Sequence, residues 1–139
     1  MITPDSSVAI AAAAPWHLAH EAAVAALAAD EPVLIAHVAF ETTAALSRMP
    51  EGQRLSPAVV LSWLERRFPA AWLTLPAGAT RRGLRAAIES GIRGGALYDA
   101  LIAATAAHHK HTLVSADRRA VPAYTAVGAE VVYLASERS

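Results

Sequence analysis

Two hydrophobic periods alternate along the chain. Short apolar runs at 1–4, 33–36, 72–75, Thr112–Ser115 and 130–134 read as strands, bounded by proline, glycine or an acid. The segments between them carry apolar residues three or four apart and read as helices. Ser6 or Ser7 is placed to cap the first, running through Val8, Ile10 and Ala14. A second helix covers 16–29, with Asp30-Glu31-Pro32 stopping it. A third covers 38–47 and puts Glu41 in its first turn. Ser56-Pro57 opens a fourth, where Ser56 caps and Pro57 occupies the first turn without losing a needed bond; Pro69 ends it. After the turn at Pro76-Ala77-Gly78, a helix over 80–90 faces Leu84, Ala87 and Ile88 inward, leaving Arg81, Arg82 and Arg85 outside. Gly91-Ile92-Arg93-Gly94-Gly95 then feeds a helix over 97–108 with Asp99 in its first turn.

Strands alternating with helices predict an α/β fold with a mostly parallel sheet covered on both faces, where functional residues collect beyond the carboxyl ends of the strands. At 139 residues, 1–139 is read as one domain. The apolar fraction of 55% excludes a disordered chain, yet no apolar run is long enough to span a membrane. Asp5 interrupts any secretory leader, so a cytoplasmic location is expected. The absence of cysteine removes disulfides, thiolate zinc sites and cysteine nucleophiles.

Formal net charge is zero, so charge alone does not favour a nucleic-acid partner. Its distribution changes that picture, because eleven of the twelve basic residues are arginine and eight of those lie between Arg66 and Arg119. Arginine's planar fork suits phosphate, although an exposed, solvated helix face accounts for such residues equally well.

The acids are the candidate chemistry. Asp5, Asp99 and Asp117, three of only four aspartates, fall just past a strand or in the first turn of a helix, as does Glu41. Each placement separately is explained by helix capping. Together they predict a shared sheet edge, where like charges raise one another's pKa unless a cation neutralises them. All-oxygen ligation without cysteine selects Mg2+, or Mn2+ as a substitute, and such an ion can acidify a water and orient a phosphodiester for hydrolysis.

The order and context of these acids resemble the PIN family. Ile2-Thr3-Pro4-Asp5-Ser6-Ser7-Val8 is similar to its first motif, Phe40-Glu41-Thr42 to its second, the stretch from Leu97-Tyr98-Asp99 to Ala106 to its third, and Leu113-Val114-Ser115-Ala116-Asp117 to its fourth. The resemblance implies a three-layer α/β/α sandwich and metal-dependent cleavage of RNA. It also implies, as in VapC-like toxins, a homodimer neutralised by a co-encoded VapB-like antitoxin. On the same resemblance Ser6 and Ser115 support the carboxylates, although capping and turn bonding explain both equally well. Arg93, Arg118 and Arg119 are the arginines nearest the acids, and Arg81, Arg82 and Arg85 could form an RNA-backbone patch. Two departures stand out: Pro4 precedes the first acid, and Arg118-Arg119 occupies the place of a further acid, which leaves one or two ions open.

Rival readings remain. A non-catalytic PIN-like module could hold RNA or a protein with the same arginines. A phosphoacceptor domain needs a late lysine, and Lys110 comes before the late strand. His17, His20 and the cluster His108-His109-Lys110-His111 match no hydrolase spacing and are read as surface residues; His37 lies four residues before Glu41. Trp16, Trp63 and Trp72 are read as core or interface.

Overall fold

The computed structural model of the protein describes residues 1–135. Strands β1 (Ile2–Pro4), β2 (Thr112–Ser115) and β3 (Val131–Tyr133) form a parallel sheet in that order. Thr3 pairs with Leu113, and Val114 with Val132. Parallel neighbours require a crossover, and almost the whole chain between β1 and β2 supplies it. That crossover folds as α1 (Ser6–Ala13), α2 (His20–Ala28), α3 (Ala36–Ser47), α4 (Pro57–Arg67), α5 (Ala77–Glu89) and α6 (Ala96–His108). A 3-10 turn at Arg118–Ala120 and α7 (Val121–Ala126) join β2 to β3. The expected α/β class with a parallel sheet is therefore what forms.

Two predicted strands are reduced to a single bridge. The segments at 33–36 and 72–75 meet only at Ile35 and Leu73, where the Leu73 amide donates to Leu34 at 2.8 Å and the Ala36 amide to Leu73 at 2.9 Å. Pro4 supplies the physical reason. Backbone groups alternate sides along a strand, and Met1 and Asp5 both bond toward β2, through Thr112 at 2.9 Å and Val114 at 2.9 Å. Pro4's missing donor consequently falls on the other side, toward residues 33–35, where one bond from the Val33 amide to Ile2 at 3.1 Å remains. The proline leaves the β1–β2 register intact and weakens the opposite edge.

Several boundaries also shift. The second helix begins at His20 instead of residue 16, because the chain turns through 15–19 first. Helix α3 starts at Ala36, which moves Glu41 into its second turn. Pro76 sits at the N-cap of α5, so the expected turn is already the helix start. Within α5 the inward face is Gly83 and Ala87, while Leu84 and Ile88 are exposed. Close approach to α6 decides this: a Cβ on Gly83 would lie 3.1 Å from the Ala104 methyl, so the smallest residues face the neighbouring helix. The histidines are more engaged than expected, with His20 bonded to the Ala11 carbonyl and His109 to the Thr74 carbonyl, each at 2.8 Å. Trp63 meets Phe68 edge-on and Trp72 donates to the Phe68 carbonyl at 3.1 Å, whereas Trp16 is exposed.

The core joins Val8, Leu27, Leu46, Leu64, Phe68 and Leu113, all fully or almost fully buried. Ser56 caps α4 as read from the sequence, its hydroxyl accepting from the Val59 amide at 3.3 Å. Phe68→Ala is expected to cost about 3–5 kcal/mol by opening a cavity. Ser56→Ala is expected to cost about 1 kcal/mol through the lost cap. Both appear in urea unfolding as a lower midpoint at an unchanged slope.

Candidate active site

Asp5 leaves the end of β1 as the N-cap of α1, its Oδ1 accepting from the Val8 amide at 3.1 Å. The cap is the acid itself, which frees both serines expected there for other partners. Ser7 donates to Asp5 Oδ1 at 2.5 Å and accepts from the Ala116 amide at 2.9 Å, joining the end of β1 to the segment beyond β2. Ser6 donates to Glu41 Oε1. Ser115 accepts from the Asp117 amide at 3.0 Å and so shapes the turn that presents Asp117. Of the two supporting serines expected from sequence, Ser6 contacts the carboxylate of Glu41, and Ser115 contacts the backbone of Asp117 and the carboxylate of Asp5.

Tyr124, a residue without a predicted role, donates its hydroxyl to Asp5 Oδ2 at 2.6 Å. The detectable signal was a tyrosine on an otherwise apolar short helix, since a buried phenol requires a partner for its oxygen. Asp5 is 2% exposed. Burial pushes its pKa up, and bonds from Ser115, Ser7, Tyr124 and the Val8 amide oppose that rise. Burial and the nearby Asp5 charge drive the Tyr124 hydroxyl far above its ordinary range, so it stays a proton donor.

Asp99, in the first turn of α6, is the electrostatic centre of the pocket. Burial raises its pKa, the charges of Glu41, Asp117 and Asp5 raise it further to about 6, and Arg119 pulls it back. Four acids from distant parts of the chain are thereby brought within one another's field. Asp117 caps the 3-10 turn through the Arg119 amide at 3.0 Å and pairs with Arg119 Nε at 3.2 Å. Glu41 Oε2 lies 3.4 Å from His37 Nε2 without hydrogen-bond geometry, and the His37 ring stacks on Tyr98.

Arginines expected nearby divide into two groups. Arg119 reaches the acids, while Arg118 lies over the Tyr133 ring at 4.5 Å. Arg93, Arg81, Arg82 and Arg85 are exposed and make no ion pair among the described residues.

Among the described residues no three acidic or histidine side chains approach closely enough to make a finished ligand cage. The electrostatic coupling puts the four acids in one field without a preformed ligand cage. Asp99 accepts no hydrogen bond from a described residue. Asp5 is largely satisfied by Ser7, the Val8 amide, Tyr124 and Ser115, so Asp99 carries the free oxygens of the set. Such an all-oxygen set with few free lone pairs fits a hard divalent ion that retains several waters.

The PIN domain model matches residues 2–125. Among curated proteins, the chain is 40% identical over 131 residues to Ribonuclease VapC40 of Mycobacterium tuberculosis, covering 94% of this chain and 97% of that one. It is also 40% identical over 131 residues to Ribonuclease VapC27 of the same organism, covering 94% and 95%. Its fold is similar to the crystal structure of FitAcB from Neisseria gonorrhoeae, with a TM-score of 0.70 at 22% identity over 94% of this chain and 96% of that one. It is similar also to VapBC2 from Rickettsia felis bound to a DNA fragment from their promoter, with a TM-score of 0.68 at 17% identity over 97% and 100%. On the matched motifs, the shared fold and this level of identity, the chain belongs to the PIN-domain family, with the VapC proteins as its relatives.

Proposed function

We propose that the protein is a Mg2+-dependent endoribonuclease, the toxin of a VapBC-type pair acting in the cytoplasm. Mn2+ is a possible substitute for the ion. The observation that carries this reading is Asp99, a free carboxylate raised to about 6 by burial and by three other acids in a chain with ribonuclease relatives. Asp99, Asp5 and Asp117 would hold the ion, with Glu41 joining directly or through water. When bound, the cation supplies an acidified water and positive charge to offset a phosphodiester.

The chain's own groups do the positioning. Ser7, Tyr124, Ser115 and the Val8 amide hold the Asp5 carboxylate in place. Ser6 holds Glu41 by one oxygen. Arg119 is paired with Asp117 through Nε and can direct its outer guanidinium nitrogens at a phosphate oxygen. Arg93, Arg118, Arg81, Arg82 and Arg85 would contact the RNA backbone more distantly. A second copy would dock on exposed apolar helix faces such as Leu84 and Ile88, and a VapB-like antitoxin would cover the groove.

A binding-only reading is favoured by one observation, the Arg119 pair that occupies an oxygen of Asp117. It requires RNA or partner binding that persists in chelator, with no cleavage under any condition.

Purified protein with Mg2+ is expected to cut RNA to 5′-phosphate and 3′-hydroxyl ends and to stop in chelator. Asp99→Asn is expected to lose about 10²–10³-fold in rate, the scale for removing one electrostatic element of a site. Chelator-resistant cutting that survives Asp99→Asn refutes the assignment. The activity profile is expected to fall on the acid side of about 6, where Asp99 takes up its proton.

Stability has the opposite sign. Between 3.8 and about 6 the folded chain keeps a proton on Asp99 that the unfolded chain has released, so without a cation stability declines as pH rises through that window. The melting-temperature advantage of Asp99→Asn over wild type should widen across that interval and then level off. Added Mg2+ should narrow it by stabilising wild type selectively.

A further inference from the structure

Two helices each carry an exposed ring immediately before an acid of the pocket: Phe40 before Glu41 on α3, and Tyr98 before Asp99 on α6. Phe40 is 76% exposed and makes no ring contact among the described residues. Tyr98 is 56% exposed, yet it is held in place. Its ring stacks on His37 with centroids 5.5 Å apart and planes 5° from parallel, and His37 in turn sits 3.4 Å from Glu41. His37, Phe40 and Glu41 are spaced i, i+3 and i+4, which places them on one side of α3. Tyr98 also walls an apolar cavity of about 310 Å³ between α5 and α6, shared with Leu84, Leu97 and Leu101.

We infer that Tyr98, backed by His37, and Phe40 form a stacking platform for an unpaired base of single-stranded RNA beside the acid pocket. The inference rests on the RNA-cleaving reading of that pocket and adds the element that receives the base. Charge selects this occupant. An apolar protein segment laid on these rings would be pressed against the carboxylates of Glu41 and Asp99 with nothing to neutralise them. A nucleotide separates its two demands, with the base on a π-face and the phosphate directed at the cation that the acids attract. The backed ring also has less freedom to lose on binding than a mobile one.

The test uses the full chain and short single-stranded RNAs carrying one 2-aminopurine at successive positions, with Ca2+ present during binding measurements and Mg2+ during cleavage. One position is expected to lose fluorescence on binding to wild type. Tyr98→Leu and Phe40→Leu are expected to reduce that quenching and weaken binding about five- to a hundredfold, with the cleavage effect falling on KM instead of kcat. Tyr98→Phe should retain both. An abasic nucleotide at the quenched position should weaken wild type by the same factor as Tyr98→Leu, and the two changes together should add little.

The platform is overturned if the abasic RNA binds as tightly as the intact one. It is overturned also if the leucine variants bind RNA normally and alter only self-association or antitoxin binding. RNA that binds in the expected pattern but is never cut removes the catalytic reading and leaves the platform standing. Cutting with an unchanged KM in both leucine variants does the reverse.

Discussion

Repulsion among carboxylates at the carboxyl end of a parallel sheet is the constraint around which this molecule is organised. Asp5, Glu41, Asp99 and Asp117 share one field, and three of them are given local donors or a counter-charge to relieve it. Asp99 has no donor among the described residues and only the partial counter-charge of Arg119. Burial and this repulsion together raise that single group to about 6, a condition that a fold selected only for stability would remove.

The relief is built from backbone geometry as much as from side chains. Using Asp5 as the cap of α1 satisfies a helix donor and fixes the carboxylate in one step. It also releases two serines, one to reach Glu41 and one to tie Asp5 to the segment after β2. Ser7 and Tyr124 therefore couple the sheet edge to the last third of the chain. The pocket and the sheet register are specified by the same contacts.

Local pattern was enough for features whose cause is local. The Ser56-Pro57 helix start, the α6 helix with Asp99 in its first turn, and β2 leading to Asp117 follow from capping rules and hydrophobic period. Features set by long-range partners were not legible. Leu84 and Ile88 match an inward period, but the need for Gly83 to meet Ala104 rotates α5 away from it. The segment at 33–36 has suitable composition, but the edge of β1 that it faces lacks the Pro4 donor. Whereas Glu41 lies in the second turn of α3, the positions of Asp5, Asp99 and Asp117 were readable because a strand end or a helix start marks them. Tyr124 was not, since its partner lies 119 residues away.

The same sequence separations bear on how the protein is made. β1 is synthesised well before its β2 partner at 112–115, and the Ser7–Ala116 and Tyr124–Asp5 bonds close over 109 and 119 residues. Those contacts cannot form until the chain through Tyr124 has emerged from the ribosome. A nascent chain thus carries Asp5 and Glu41 without the arrangement that makes them a site, and translation arrested midway yields a fragment with no assembled pocket.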